Sequence, residues 1–145
     1  TDFAAFRPLA HLRMAMTAHV VFSALDPLAP ATTSATIISQ VIRDFIGFDG
    51  LLMSDDVSMG ALSGTIGERT SAALAAGCDI VLHCNGRMDE MQEVAAAAGT
   101  LSGRAAERAD SALAQRKIAG EFDIGAARAR FADLMRDSDT RMAGR

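Results

Sequence analysis

Phe48-Asp49-Gly50-Leu51-Leu52-Met53-Ser54-Asp55-Asp56-Val57-Ser58-Met59 sets an apolar run directly against two adjacent carboxylates and a turn of small residues. Burial favours the first part inside, whereas ionised acids resist burial without a partner. Carboxylates at the C-terminal end of a buried parallel strand are where α/β barrels keep their chemistry. Read locally, Asp55 and Asp56 suit loop solvation or helix capping as well as catalysis.

Two further strands flank this one. Residues 14–22 are nearly all apolar, interrupted by Thr17 and His19, and residues 79–83 form a third short apolar run. All three read as buried on both faces, which favours parallel pairing. The segments between them read as helices. Pro30-Ala31-Thr32-Thr33-Ser34 offers capping hydroxyls, Ile37, Ile38, Val41, Ile42 and Phe45 recur at helical spacing, and Gly47 is a stop. Residues 68–76 repeat the plan, with Leu74 inside and Gly77 as the stop. Gly60, Gly64 and Gly67 read as a flexible loop after the second strand. Strand, helix, strand, helix, strand predicts a parallel α/β sheet.

After the third strand the pattern is helical throughout, over residues 89–98, 104–118 and 125–135. The organisation is one domain over residues 1–136 and a polar, frayed tail over 137–145. Three strands are too few to close a parallel sheet, whose edges need cover. The chain therefore reads as part of a larger fold.

The 145 residues carry a net charge of −4, with half of them apolar. No basic run marks a nucleic-acid partner, and no stretch approaches the roughly 20 apolar residues of a membrane span. Cys78 and Cys84, on one extended segment, would lie about 20 Å apart, too far for a disulfide. Unpaired thiols point to a reducing, cytoplasmic setting. No Cys/His spacing suits zinc, and no glycine loop suits phosphate. The eight methionines read as core filler.

Met16-Thr17-Ala18-His19-Val20, the segment from Phe48 to Met59, and Ala76-Gly77-Cys78-Asp79-Ile80-Val81-Leu82-His83-Cys84-Asn85 resemble family 3 glycoside hydrolases. Within that family the likeness is to the NagZ-type β-N-acetylglucosaminidases of Gram-negative bacteria. Family 3 β-glucosidases typically carry Ser-Asp-Trp where this chain has Ser54-Asp55-Asp56, and a Ser-Tyr-Asn type strand where it has Thr17-Ala18-His19.

The resemblance implies a (β/α)8 TIM barrel, of which this chain is the C-terminal portion, strands six to eight. It implies Asp55 as the nucleophile of a retaining double displacement, with backbone amides of the loop from Asp56 to Gly60 available to hold its charge. Asp56 is expected to be structural, because neighbours on an extended backbone point opposite ways. His19, Met59 and Asn85 are the candidate sugar contacts. His83 is a weaker candidate, and His11 is expected to be exposed. The implied substrate is a muropeptide carrying terminal β-linked N-acetylglucosamine, cleaved in cytoplasmic peptidoglycan recycling without a metal or organic cofactor.

The family's Lys-His-Phe-Pro-Gly-His-Gly segment, and the Asp–His pair whose histidine is the general acid/base, do not occur in these residues. General acid catalysis typically contributes about 10²–10⁴-fold, so the 145 residues alone are expected to be inactive. The missing N-terminal part of the barrel is the expected partner. The other reading is a non-catalytic barrel fragment that assembles with a partner chain.

Overall fold

The computed structural model describes residues 2–117 and 120–143, with side chains through residue 136. Two compact units divide the chain, residues 1–115 and 116–145.

The first unit is built on a three-stranded parallel sheet in the order β1-β2-β3, with β1 at Met14–Met16, β2 at Leu51–Asp56 and β3 at Ile80–Leu82. The parallel arrangement agrees with the sequence, but two strands are shorter than expected. The segment 14–22 leaves the ladder after Met16, where Thr17 makes a last amide bond to the Met53 carbonyl at 2.9 Å. Burial on both faces holds only for central β2, where Leu51, Leu52 and Ser54 are buried. In β1, Met14 and Met16 are half exposed, because among the described residues no strand pairs with this edge.

A 3₁₀ helix over Asp2–Leu9 precedes β1. Together they border an apolar hollow of about 340 Å³, lined by Phe3, Phe6, Met14, Met16, Ile42 and Ile46 among others. Between β1 and β2 the expected helix is a π-helix over Ile37–Phe45. Its wider turn is seen where the Ile46 amide reaches the Val41 carbonyl, five residues back, at 2.9 Å. Spacings of three, four and five satisfy both periods, so the apolar pattern does not separate the α from the π form. Among the expected capping hydroxyls, Ser34 accepts the Ile37 amide at 3.1 Å. Gly47 closes the segment at φ +79°.

Helix α1 spans Ile66–Ala76 and opens with a reciprocal capping box between Thr65 and Glu68. Gly67 therefore belongs to its first turn rather than to the loop. Thr70, Ala73 and Ala76 are its buried face, and Leu74 is only half buried. Gly77 ends it at φ +117°. Helices α2, Met88–Ala98, and α3, Gly103–Leu113, follow β3. The helix expected over 104–118 thus ends five residues early, and Ile118 lies outside the described residues.

The N-terminal edge of the sheet is fastened by charge. The Asp79 carboxylate is 6% exposed and accepts from Arg43 at 2.9 Å and Arg108 at 2.9 Å. It also takes the Leu52 amide at 2.8 Å. Arg43 further donates to the Phe48 and Gly50 carbonyls, and Arg108 and Arg104 both grip Asp49. Burial, then the nearby charge of Arg108, push the Arg43 guanidinium below its ordinary value, and Asp79 opposes both. Fixed at this end, the strands present their other ends together.

The second unit contains α4, Ile124–Ala143. Asp123 caps it by accepting the Ala126 amide at 3.0 Å. The stretch expected to fray from residue 137 is helical through Ala143, and residues 144–145 lie outside the described residues.

Candidate active site

Parallel pairing brings the C-terminal ends of the three strands to one side, where Thr17, Asp55, Asp56 and His83 gather. The register between β2 and β3 is irregular here, Met53 facing Ile80 and Asp56 facing Leu82. The fully buried Ser54 hydroxyl takes the Leu82 amide at 2.9 Å, in place of a ladder carbonyl. The Val57 amide then bonds the Leu82 carbonyl at 2.9 Å.

The two acids differ sharply. The Asp56 carboxylate accepts the Ser58 amide at 2.9 Å, the Ser58 hydroxyl at 2.7 Å and the Cys84 amide at 3.2 Å. Burial opposes its ionisation, but the Ser58 and Cys84 bonds outweigh that and hold it below the usual carboxylate range. Asp56 thus joins the ends of β2 and β3, the structural task expected of it. The half-buried Asp55 carboxylate accepts one hydrogen bond among the described residues, from the Asp56 amide at 2.8 Å. No cation pairs with it within those residues. One carboxylate is spent on the fold, and its neighbour is left available.

His19 is half buried, and both of its ring nitrogens are occupied. Nε2 lies 2.9 Å from the Asp56 carbonyl, and Nδ1 lies 2.8 Å from the Thr32 hydroxyl. It lies beside the acids but has no free nitrogen for a sugar. Asn85 is exposed: its amide donates to Glu90 at 2.6 Å, and its oxygen accepts the Arg87 amide at 2.9 Å, so it shapes the loop after β3. Met59 is 45% exposed on the loop after β2. His83 is half buried with its side chain 6% exposed, Nε2 donating to Glu90 at 2.9 Å and Nδ1 unpartnered among the described residues. The His83 bond first, then that from Asn85, hold the Glu90 carboxyl below its ordinary value. His11 is exposed on the 3₁₀ side, away from this cluster, and bonds Pro8.

Three contributors escaped the sequence reading. Arg69 donates to the Gly64, Val57 and Met59 carbonyls at 2.9, 3.0 and 3.1 Å, clamping the loop that was expected to be flexible. Thr17 and Thr32 are buried and share a hydroxyl bond of 2.9 Å. Two hydroxyls in apolar surroundings were the available signal, but Thr32 looked like a cap. Among the described residues no group of three His, Cys, Asp or Glu side chains forms a metal site. Cys78 is buried, which pushes its thiol up to about 11, and Cys84 is exposed and unpaired. No helix of the described residues is long and apolar enough to cross a membrane.

Residues 3–117 match the glycosyl hydrolase family 3 N terminal domain. The chain is 47% identical over 88 residues to a beta-hexosaminidase of Alkalilimnicola ehrlichii, covering 58% of this chain and 25% of that one. It is 42% identical over 92 residues to a beta-hexosaminidase of Tolumonas auensis, covering 60% and 27%. Among solved structures it resembles the beta-N-acetylhexosaminidase of Beutenbergia cavernae, with a TM-score of 0.62, 31% identity and coverage of 75% and 36%. The beta-N-acetylglucosaminidase of Thermotoga maritima gives 0.59 and 32%, with coverage of 77% and 28%. The match spans about a quarter of these curated relatives' length. The three-stranded parallel sheet is a portion of a (β/α)8 barrel.

Proposed function

Because the chain belongs to glycosyl hydrolase family 3, we propose that it carries the nucleophile of a retaining β-N-acetylglucosaminidase, and that this nucleophile is Asp55. The observation that carries the reading is the contrast between the acids. Among the described residues Asp56 has three donors and Asp55 one, at the end of the central strand. A carboxylate nucleophile must stay ionised without being consumed by fixed partners.

In this reading Asp55 attacks the anomeric carbon and forms a glycosyl ester, while the bond to the leaving oxygen breaks. A general acid from the remainder of the barrel protonates that oxygen. Water then attacks the same carbon, gives up a proton to the same group acting as base, and releases Asp55. Met59 and Asn85 stand at the mouth of the site as sugar contacts. The substrate class is a muropeptide bearing terminal β-linked N-acetylglucosamine, processed in cytoplasmic peptidoglycan recycling. The hexosaminidase names of the relatives support the sugar.

The partner is the rest of the barrel, strands one to five, closing the sheet from the free edge of β1 round to that of β3. Half-exposed Met14 and Met16 and the hollow beside them favour that placement. The same bare edge favours a second reading, a fragment that binds a partner chain without catalysis.

The test is release of nitrophenol from p-nitrophenyl N-acetyl-β-glucosaminide. The chain alone should be inactive. Joined to strands one to five of the Alkalilimnicola ehrlichii relative it should turn over, and Asp55→Asn should abolish turnover. An assembled but inert barrel would favour the second reading.

A further inference from the structure

A continuous hydrogen-bond path runs from the backbone amide of Asp55 to the backbone carbonyl of Asp56, through three side chains from elsewhere in the chain. The Asp55 amide donates to the Thr17 hydroxyl at 3.3 Å. Thr17 and Thr32 hydroxyls are 2.9 Å apart, Thr32 and His19 Nδ1 are 2.8 Å apart, and His19 Nε2 is 2.9 Å from the Asp56 carbonyl.

With the His19 ring neutral, only one arrangement of protons satisfies every bond on this path. A carbonyl only accepts, so His19 Nε2 carries the hydrogen. In the neutral ring Nδ1 is then an acceptor, and the Thr32 hydroxyl donates to it. The Thr32 oxygen is left to accept from Thr17, whose oxygen accepts the Asp55 amide. Each hydroxyl gives one bond and takes one, so no buried group in the path is orphaned. Thr17 is 4% exposed and Thr32 0%, which shields the path from competing water.

Both ends of the path fall on consecutive residues. It grips the chain through the amide before the Asp55 side chain and the carbonyl after Asp56. The amide between them is the one that donates to Asp55 Oδ1. The gripped amide and carbonyl belong to the peptides on either side of that one, so loss of the path would free the Asp55–Asp56 peptide to turn and withdraw its donor from the carboxylate.

We propose that Thr17, Thr32 and His19 are positioning residues for Asp55, fixing the Asp55–Asp56 peptide and so the aim of the nucleophilic carboxylate. His19 acts through the backbone and does not bind sugar through its nitrogens. This rests on the assignment of Asp55 as nucleophile.

The test uses the completed barrel and the aryl N-acetylglucosaminide. Thr32→Val keeps the shape of the side chain and removes the link. Misaimed reacting groups cost on the order of 10–100-fold in rate, so kcat should fall by about that factor with KM within about twofold. Thr32→Ser should restore kcat. Ring ¹⁵N–¹H correlations should show His19 protonated at Nε2 in the unaltered protein, and a loss of that single tautomer in Thr32→Val. An unchanged kcat in Thr32→Val, a loss confined to KM, or a His19 proton on Nδ1 would overturn the proposal. Asp55→Asn is run alongside: if it retains turnover, the nucleophile assignment fails instead. The tautomer is read whether or not the barrel turns over.

Discussion

The Asp56 amide donates to the carboxylate of its own chain neighbour Asp55 at 2.8 Å, while the Asp56 carboxylate faces Ser58 and Cys84. Alternation along an extended strand sends the two acids to different surroundings. Asp56 ties the ends of β2 and β3 together, and that bond network holds the peptide whose amide serves Asp55.

Ser58→Ala removes the hydroxyl that donates to Asp56 at 2.7 Å. With the remaining bonds weaker against burial, the Asp56 carboxyl should rise toward its ordinary value of 3.8. A depressed carboxyl stabilises the fold above its unfolded value, and that contribution is lost as pH falls through the folded value. The variant should therefore be less stable at neutral pH, by about 1 kcal/mol for one partly exposed bond, and should lose less stability on acidification. Carboxyl ¹³C titration of Asp56, with urea unfolding at neutral and acid pH, reads both. A titration that does not move would contradict this account of Asp56.

Asp79→Ala strikes the opposite end of the sheet. It strips Arg43 and Arg108 of their shared carboxylate and leaves the Leu52 amide without its acceptor. Breaking a buried charge pair by removing one partner costs roughly 3–5 kcal/mol. Urea unfolding should show a loss of that order. A loss under about 1 kcal/mol would mean that water replaces the carboxylate at little cost.

Gly77→Ala should destabilise for two reasons at once. The backbone sits at φ +117°, and an added Cβ would lie 2.9 Å from Ile38 Cγ2. Ile38 is 2% exposed in the core between the π-helix and β2, so it has little room to move. Left-handed strain costs about 1–2 kcal/mol, and overpacking adds to it. A thermal midpoint unchanged within error would contradict the crowding argument.

The parallel sheet was legible because its strands are short apolar runs separated by helix-sized, glycine-stopped segments. Gly77 acts through local geometry, which a sequence displays. The length of β1 was not legible: the chain leaves the ladder after Met16, opposite Met53, although β2 runs on to Asp56, and a run of apolar residues does not show where pairing stops. The π form of residues 37–45 was hidden because its apolar spacing also fits an α-helix. Asp55 and Asp56 stood out together by their place at the end of an apolar run, and the family resemblance alone singled out Asp55 as the candidate nucleophile. Thr32 did not, since its partners Thr17 and His19 lie 15 and 13 residues away and its own neighbours look like a cap. Arg69 was hidden in the same way, its carbonyl partners being set by how the loop folds back on α1.

The most direct test of the central claim is to trap the covalent intermediate in the completed barrel. A 5-fluoro N-acetylglucosaminyl fluoride slows breakdown of the glycosyl ester more than its formation, and peptide mass spectrometry then locates the sugar. The account predicts one adduct, on the Asp55 carboxylate, absent from Asp55→Asn. An adduct on any other side chain, or steady turnover by the Asp55→Asn barrel, would contradict it.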